Sequence, residues 1–355
     1  MVRSADRPSP SGRLGPPGSV NEEADYVRAV RTVDGAFTVV EVPDPEGGGV
    51  LVDVAAAGIC GSDLHMADFG LPTTVGHEVA GRTRDGMSVA VRPTLTCGIC
   101  DRCLVGEVQQ CRSLSLYGLA VDGGMADRIL VDPSCVLPLP EGLAESDAFL
   151  VEPVAVSVHA VSTAGVEAGH RVLVVGGGTI GLTAVAVARE AGADVDLSAR
   201  HDHQRTAGER LGAGIEVSGE YDVVVEAVGA ESALTMAIDH ARPGATVSMP
   251  GIYWEGLKIP NAVAMFLKEL RLVPSSMYGC ARGLHRHGGV ETPNAGVIEK
   301  DDPAGELLVA AQLLVDVPDL AEVLVTHRFG LDEASEAFRV AADRSAGAIK
   351  VVLEP

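Results

Sequence analysis

The chain has 355 residues, 46% hydrophobic and 21% charged, which is enough for two domains with real cores. With 49 acidic against 27 basic side chains its formal charge is −22, a field that repels phosphate backbones and argues against a nucleic-acid partner. Its apolar runs all fall short of the roughly 20 residues a membrane span needs, which argues against a membrane-embedded chain.

Residues 1–25 are rich in Pro, Gly, Ser and Arg and lack the apolar stretch of a signal peptide. They read as a disordered extension of a cytoplasmic protein. In a reducing compartment, the clustering of the seven cysteines points to metal binding before disulfides. Aromatics make up only 3% of the chain, so the core must be built from Ala, Val and Leu.

Residues 26–153 contain short β-type runs such as Val50–Val54 between Gly and Pro, the pattern of a compact β-barrel with long loops. Cys60, His77 and a carboxylate, Glu78 or Glu152, would give a metal three protein ligands and leave one position open. A hydroxyl held at such an open position loses its proton more readily. Ser62 lies two residues from Cys60, and His65 follows three residues later with an imidazole, a side chain suited to proton transfer, so the two make a candidate proton path. Asp63 is a candidate partner for orienting His77. Farther on, Cys97, Cys100, Cys103 and Cys111 form C-x2-C-x2-C-x7-C, four thiolates suited to a closed tetrahedral zinc site, with an iron–sulfur cluster or disulfides as alternatives.

Residues 154–287 change character. A helical stretch to Ala164 is followed by the strand Arg171–Val175, a glycine turn and an Ala-rich helix to about Ala191. Further strands are expected at Asp194–Ala199, Tyr221–Glu226 and Ala245–Met249. Strands alternating with helices predict an α/β, doubly wound parallel sheet. The turn Gly176–Gly181 fits G-x-G-x-x-G between strand and helix, with Thr179 and Ile180 opening the helix, the context in which this motif cradles a pyrophosphate. Residues 288–355 end in a helix near Leu331–Ala341 and a strand at Ala348–Leu353. Cys135, Cys280 and His159 read as buried structural residues, and His285 and His287 as a solvated loop. Trp254 lines either the cofactor cleft or a subunit contact.

On the motifs Gly58-Ile-Cys-Gly-Ser-Asp-Leu-His65, Gly76-His-Glu78, the cysteine quartet, Glu152-Pro153 and the glycine turn, the chain from about Tyr26 onward resembles the zinc-containing medium-chain dehydrogenase/reductase superfamily, in its polyol, threonine and glucose dehydrogenase branch. The resemblance implies a GroES-like β-barrel catalytic domain (26–153) holding two zinc ions, a Rossmann cofactor domain (154–287) and a C-terminal segment (288–355) that returns to the catalytic domain. It implies zinc ligation by Cys60 and His77, a zinc role for Glu78 or Glu152, and a proton relay through Ser62 and His65. Beside the family, the 17 residues from Cys60 to His77 and the segment Val79–Ala90 are short and leave no room for the usual β-hairpin, so one rim of the cleft is expected to be trimmed. It also places Ala227, Val228, Gly229 and Gly251 beside the cofactor ribose and Lys350 near its pyrophosphate. Arg200 stands where the family usually has an acid that binds the ribose of NAD. With His201 and Arg205 in support, that favours NADP over NAD.

The expected activity is hydride transfer between a secondary alcohol (polyol, sugar or amino-polyol) and NAD(P), in a homodimer or homotetramer whose only other partner is its small alcohol or ketone substrate. Two other classes stand beside it: a zinc-independent enone or quinone reductase, which the Cys60, His77, Glu152 set argues against, and a non-catalytic dinucleotide sensor, in which the relay would be surplus.

Overall fold

The computed structural model describes residues 25–66, 69–259, 261–280, 291–292, 296–297, 302, 304–343 and 345–355. The expected N-terminal extension, apart from Asp25, lies outside the described residues. So do His285, His287 and the expected boundary at residue 287.

The first half is built on antiparallel strands. β1 (Tyr26–Val33) and β2 (Ala36–Pro43) form a hairpin turned by Asp34 and Gly35, both at positive φ. β3 (Val50–Gly58) then enters a seven-stranded sheet and runs into the short helix α1 (Gly61–Met66). β4 (Glu78–Thr83) and β5 (Ser88–Val91) follow, then β6 (Thr94–Leu95), helix α2 (Asp101–Leu104), β7 (Ser115–Leu116), β8 (Arg128–Val131) and β9 (Val136–Pro138). Val52, Val79, Val91 and Ile129 fill the interior, and in β3 exposed Asp53 between buried Val52 and Val54 shows the period-2 pattern of a strand with one wet face, whereas β4 and β5 are buried almost throughout.

Here one expectation is corrected. β4 and β5 do form an antiparallel hairpin, from Val79 opposite Val91 to Arg82 opposite Ser88. The turn is tight enough to fit: the Thr83 backbone N–H donates to the Met87 carbonyl at 2.9 Å, the Thr83 hydroxyl accepts from the Met87 N–H at 3.1 Å, and Gly86 takes φ +89°. The segment thus holds a hairpin, closed by only four residues between the strands.

Helix α3 (Val151–Thr163) leads into the second half. Strands β10 (Arg171–Val175), β11 (Asp194–Ser198), β12 (Tyr221–Glu226), β13 (Ala241–Met249) and β14 (Arg271–Pro274) pair in parallel, in the order β11-β10-β12-β13-β14. Helices α4 (Thr179–Glu190), α5 (Asp202–Arg210), α6 (Glu231–His240) and α7 (Ala262–Leu267) connect them. The sheet is buried on both faces. Leu182 and Val185 pack with Val154 and Val158 on one side, while Leu173, Val224, Leu234 and Ile238 pack on the other. Each fully buried Val or Leu contributes about 1.5–3 kcal/mol, which lets an aromatic-poor chain hold together.

The C-terminal segment returns later than expected. After the short pair β15 (Glu291–Thr292) and β16 (Gly296–Val297), helices α8 (Gly305–Asp316) and α9 (Asp319–Leu324) stay with the parallel-sheet domain, sharing its core through Leu307, Leu313 and Leu320. The chain rejoins the barrel at β17 (Val325–Gly330), helix α10 (Ala334–Ala342) and β18 (Lys350–Glu354), where β18 pairs with β3.

Gly181 fixes the approach of α4 to β10, since a Cβ there would lie 1.8 Å from the Gly176 carbonyl oxygen. Gly181→Ala is therefore expected to cost about 1–3 kcal/mol through overpacking, seen as a lowered thermal midpoint. An unchanged midpoint would show that the turn yields freely.

Candidate metal and dinucleotide site

The cysteine quartet forms one lobe. The loop around α2 gathers Cys97, Cys100, Cys103 and Cys111, whose sulfurs all lie within 4.8 Å of one another. Cys100 and Cys103 are 3.5 Å apart and Cys97 and Cys111 3.6 Å, close to the edges of about 3.8 Å in a tetrahedron with Zn–S bonds of about 2.3 Å. Backbone N–H groups of Cys97 and Ser113 point at the Cys111 sulfur at 3.3 and 3.4 Å, and backbone N–H groups of Arg112 and Cys103 pull the Cys100 thiol down to about 6. Both favour thiolates. The residues fit a closed zinc site.

The second cluster sits where β3 ends and β4 begins. Cys60, His77 and Glu78 bring their ligand atoms within 4.8 Å of one another. Asp63, fully buried at the start of α1, accepts from the Cys60 N–H at 2.9 Å and lies 3.3 Å from His77 Nδ1, so the other ring nitrogen is left for a metal. Burial lowers the His77 pKa, but the Asp63 carboxylate and the Cys60 sulfur outweigh it and hold it well above the ordinary value. This thiolate, imidazole and carboxylate set fits a zinc site with an open position. Gly76, at φ +98°, turns the chain so that His77 and Glu78 point inward, and Gly58 makes room for Glu78, whose Oε2 would lie 2.0 Å from a Cβ there.

A second carboxylate, Glu152 on the first turn of α3, is buried beside the cluster but outside the set of three. Burial, with help from the Glu78 charge, pushes its carboxyl up to about 7 against the pull of His77 and Lys350. Tyr278 lies fully buried next to it, pushed well above the tyrosine range by burial and by the Glu152 charge. Ser62 and His65 ride on α1 three residues apart, on one face, with Ser62 half-buried and His65 exposed.

Lys350 is a correction. Its ammonium is not free for a pyrophosphate: it donates to both oxygens of Glu78 at 2.7 and 2.8 Å and to the Ile59 carbonyl at 3.1 Å, with the side chain 2% exposed. An ammonium has three donors, and these partners take them. Burial lowers the Lys350 pKa, but Glu78 and Cys60 reverse the effect and keep it charged.

The glycine turn fits a dinucleotide. Gly176 takes φ +112° and donates to the Ser198 carbonyl at 2.9 Å, while a Cβ on Gly178 would meet nothing within 4 Å, leaving the N-terminus of α4 open. Ile180 is half-buried in the first turn of α4, and the Thr179 hydroxyl donates to the Ile349 carbonyl at 2.9 Å. Residues 349 and 350 thus tie this turn to Glu78 and the metal cluster.

At the end of β11, Arg200 is exposed and its guanidinium makes no hydrogen bond among the described residues, with His201 half-buried next to it. Arg205 is spent on the turn itself: its guanidinium donates to the Ala199 and Arg200 carbonyls, each at 2.9 Å, and pairs with Asp202. The expectation that it supports a ribose phosphate is corrected accordingly. Asp196 is occupied by Tyr221 at 2.7 Å and Arg171 at 3.4 Å.

Sequence reasoning passed over Glu226. This fully buried carboxylate at the end of β12 accepts from the Val228 and Gly229 N–H groups, each at 2.9 Å, and from the Tyr253 hydroxyl at 2.7 Å. It stitches Ala227–Gly229 to the segment after Gly251, where a Cβ would lie 2.4 Å from the Gly229 nitrogen. An acid at the end of a buried strand was the available signal. His159, read as structural, pairs with buried Glu306 at 2.9 Å.

Breaking the Lys350–Glu78 pair leaves a buried charge uncompensated, which costs about 3–5 kcal/mol. Lys350→Met is expected to lower the thermal midpoint sharply and Glu78→Gln in the same chain to restore part of it. Equal midpoints for wild type and Lys350→Met would contradict the pairing.

Residues 46–141 match the alcohol dehydrogenase GroES-like domain. The chain is 31% identical to the L-galactonate-5-dehydrogenase of Escherichia coli over 244 residues, covering 60% of this chain and 72% of that protein. It is 28% identical over 352 residues to the L-threonine 3-dehydrogenase of Pyrococcus abyssi, covering 89% and 94%. A zinc-binding dehydrogenase from Sinorhizobium meliloti, solved with NADP, superposes with a TM-score of 0.79 at 29% identity, over 93% of this chain and all of that one. The chain belongs to the zinc-containing medium-chain dehydrogenase/reductase superfamily, in the branch of the polyol and threonine dehydrogenases.

Proposed function

We propose that the chain transfers a hydride between a secondary alcohol, of the polyol, sugar or amino-polyol type, and a nicotinamide dinucleotide, in the cleft between its two domains. The observation that carries this reading is the contact path Thr179–Ile349–Lys350–Glu78, which sets the glycine turn and the metal cluster on opposite ends of two consecutive residues. Zinc supplies Lewis acidity that eases deprotonation of a substrate hydroxyl, and the dinucleotide supplies the hydride acceptor.

Each residue then has a task. Cys60 and His77 would hold the catalytic ion together with Glu78 or Glu152, which supply the third ligand, and Asp63 fixes the imidazole. The hydroxyl of Ser62 passes the substrate proton to His65, which gives it to water. Cys97, Cys100, Cys103 and Cys111 hold a second, structural ion. Gly176, Gly178, Thr179, Ile180 and Gly181 receive the pyrophosphate, while Ala227, Val228, Gly229 and Gly251 border the nicotinamide ribose. Arg200, with His201 beside it, would pair with a 2′-phosphate, so NADP is preferred over NAD. The working form is a cytoplasmic homodimer or homotetramer. A zinc-independent enone or quinone reductase would have no use for a half-buried cysteine set against a buried imidazole and a buried carboxylate with its own lysine counter-charge.

The test is a panel of sugar alcohols, aldonates and 3-hydroxy amino acids, assayed with NADP and NAD by absorbance of the reduced nicotinamide, alongside metal analysis. Expected are two zinc ions per chain, one per ligand group, falling to one in Cys60→Ala together with loss of turnover. NADP should give the higher kcat/KM, and Arg200→Asp should shift the ratio toward NAD by about tenfold, or about 1.4 kcal/mol. Undiminished turnover in Cys60→Ala would overturn the metal mechanism, and a wild-type preference for NAD would overturn the role of Arg200.

A further inference from the structure

His65 and Trp254 come from different domains and meet across the cleft. Their rings stack, with centroids 4.5 Å apart and planes inclined by 28°. His65 stands exposed on a six-residue helix, and among the described residues its imidazole makes no hydrogen bond. Trp254, the chain's only tryptophan, is itself 47% exposed.

The indole is held on a firm base. The Gly251 N–H donates to the Glu226 carbonyl at 3.2 Å, and the neighbouring Tyr253 hydroxyl donates to the buried Glu226 carboxylate at 2.7 Å. A Cβ on Gly229 would lie 2.3 Å from the Ile252 carbonyl oxygen, so the two loops touch backbone to backbone. The segment that carries Trp254 is thus locked to the end of β12 and projects its ring over α1.

We infer that Trp254 is a positioning residue for the proton path, holding the His65 ring from the dinucleotide side of the cleft. The inference rests on the relay role of His65 proposed above. A proton is handed on only when a ring nitrogen lies within hydrogen-bond reach along a fixed direction, and an exposed imidazole on a short helix otherwise samples several rotamers. Stacking occupies a face of the ring and leaves its edge, where both nitrogens sit, free to take a proton from Ser62 on one side and release it to water on the other. Because the two rings belong to different domains, the path is complete only while the domains keep this mutual arrangement.

The zinc-loaded full chain tests this in two ways. Without any substrate, the His65 ring protons should show an upfield ring-current shift in NMR that disappears in Trp254→Ala and persists in Trp254→Phe, and the emission of Trp254 should change in His65→Ala. With the fastest substrate of the panel above, Trp254→Ala should lower kcat about tenfold, less than the roughly hundredfold loss from removing an acid–base group in His65→Ala. The solvent deuterium isotope effect should rise in Trp254→Ala, and Trp254→Phe should recover wild-type kcat. If His65→Ala leaves kcat unchanged, the relay reading fails and this inference falls with it. If His65→Ala slows the reaction but Trp254→Ala matches wild type in kcat and isotope effect, or if the ring-current shift is absent from wild type, the positioning role is overturned while the relay stands.

Discussion

The buried ion pair between Lys350 and Glu78 is the constraint on which the two halves of the molecule depend. Lys350 opens β18, the strand that brings the C-terminus back beside β3, and its ammonium reaches across to a carboxylate on β4. Neither charge would survive alone in this interior, because transferring an unpaired ion there costs several kcal/mol. The pair therefore fixes where β18 ends up. Through the neighbouring Ile349 carbonyl it also fixes Thr179 at the mouth of the glycine turn. Two consecutive backbone positions serve the metal cluster and the dinucleotide turn at once, so the spacing between the two is set by covalent geometry as well as packing.

A chain with formal charge −22 must still accept an anionic cofactor. The means are local. The α4 N-terminus carries a partial positive charge of about half a unit, and among the described residues no side chain crowds Gly178 and none hydrogen-bonds the Arg200 guanidinium at the end of β11. Two nearby acids are already hydrogen-bonded within the fold, Asp196 by Tyr221 and Arg171 and Glu226 by two backbone amides and Tyr253.

What the sequence disclosed follows the distance between interacting residues. The cysteine quartet spans a single loop, so local spacing pointed to a metal lobe, and the six-residue glycine turn was legible from its place between a strand and a helix. The parallel sheet was legible because its strands read as continuous apolar runs flanking helices. Lys350 was misassigned because its partner is 272 residues away, and no local pattern announces such a contact. Arg205 looked like a phosphate ligand because the carbonyls it satisfies belong to the turn's own backbone, which a sequence does not display. The β4–β5 hairpin was missed because four residues, closed by the Thr83 side chain and a left-handed Gly86, sufficed for a turn. The Tyr278–Glu152 neighbourhood and the His65–Trp254 stack are convergences of residues far apart in sequence, which no local pattern announces.

Anomalous diffraction from zinc-loaded crystals at the zinc edge tests the central claim most directly. The account predicts a peak in contact with Cys60 Sγ and His77 and a glutamate oxygen, lying on the side of the cleft that faces Gly176–Gly181, in addition to one enclosed by the four cysteines. A peak confined to the cysteine quartet, with Cys60 and His77 bare at full zinc loading, would contradict it.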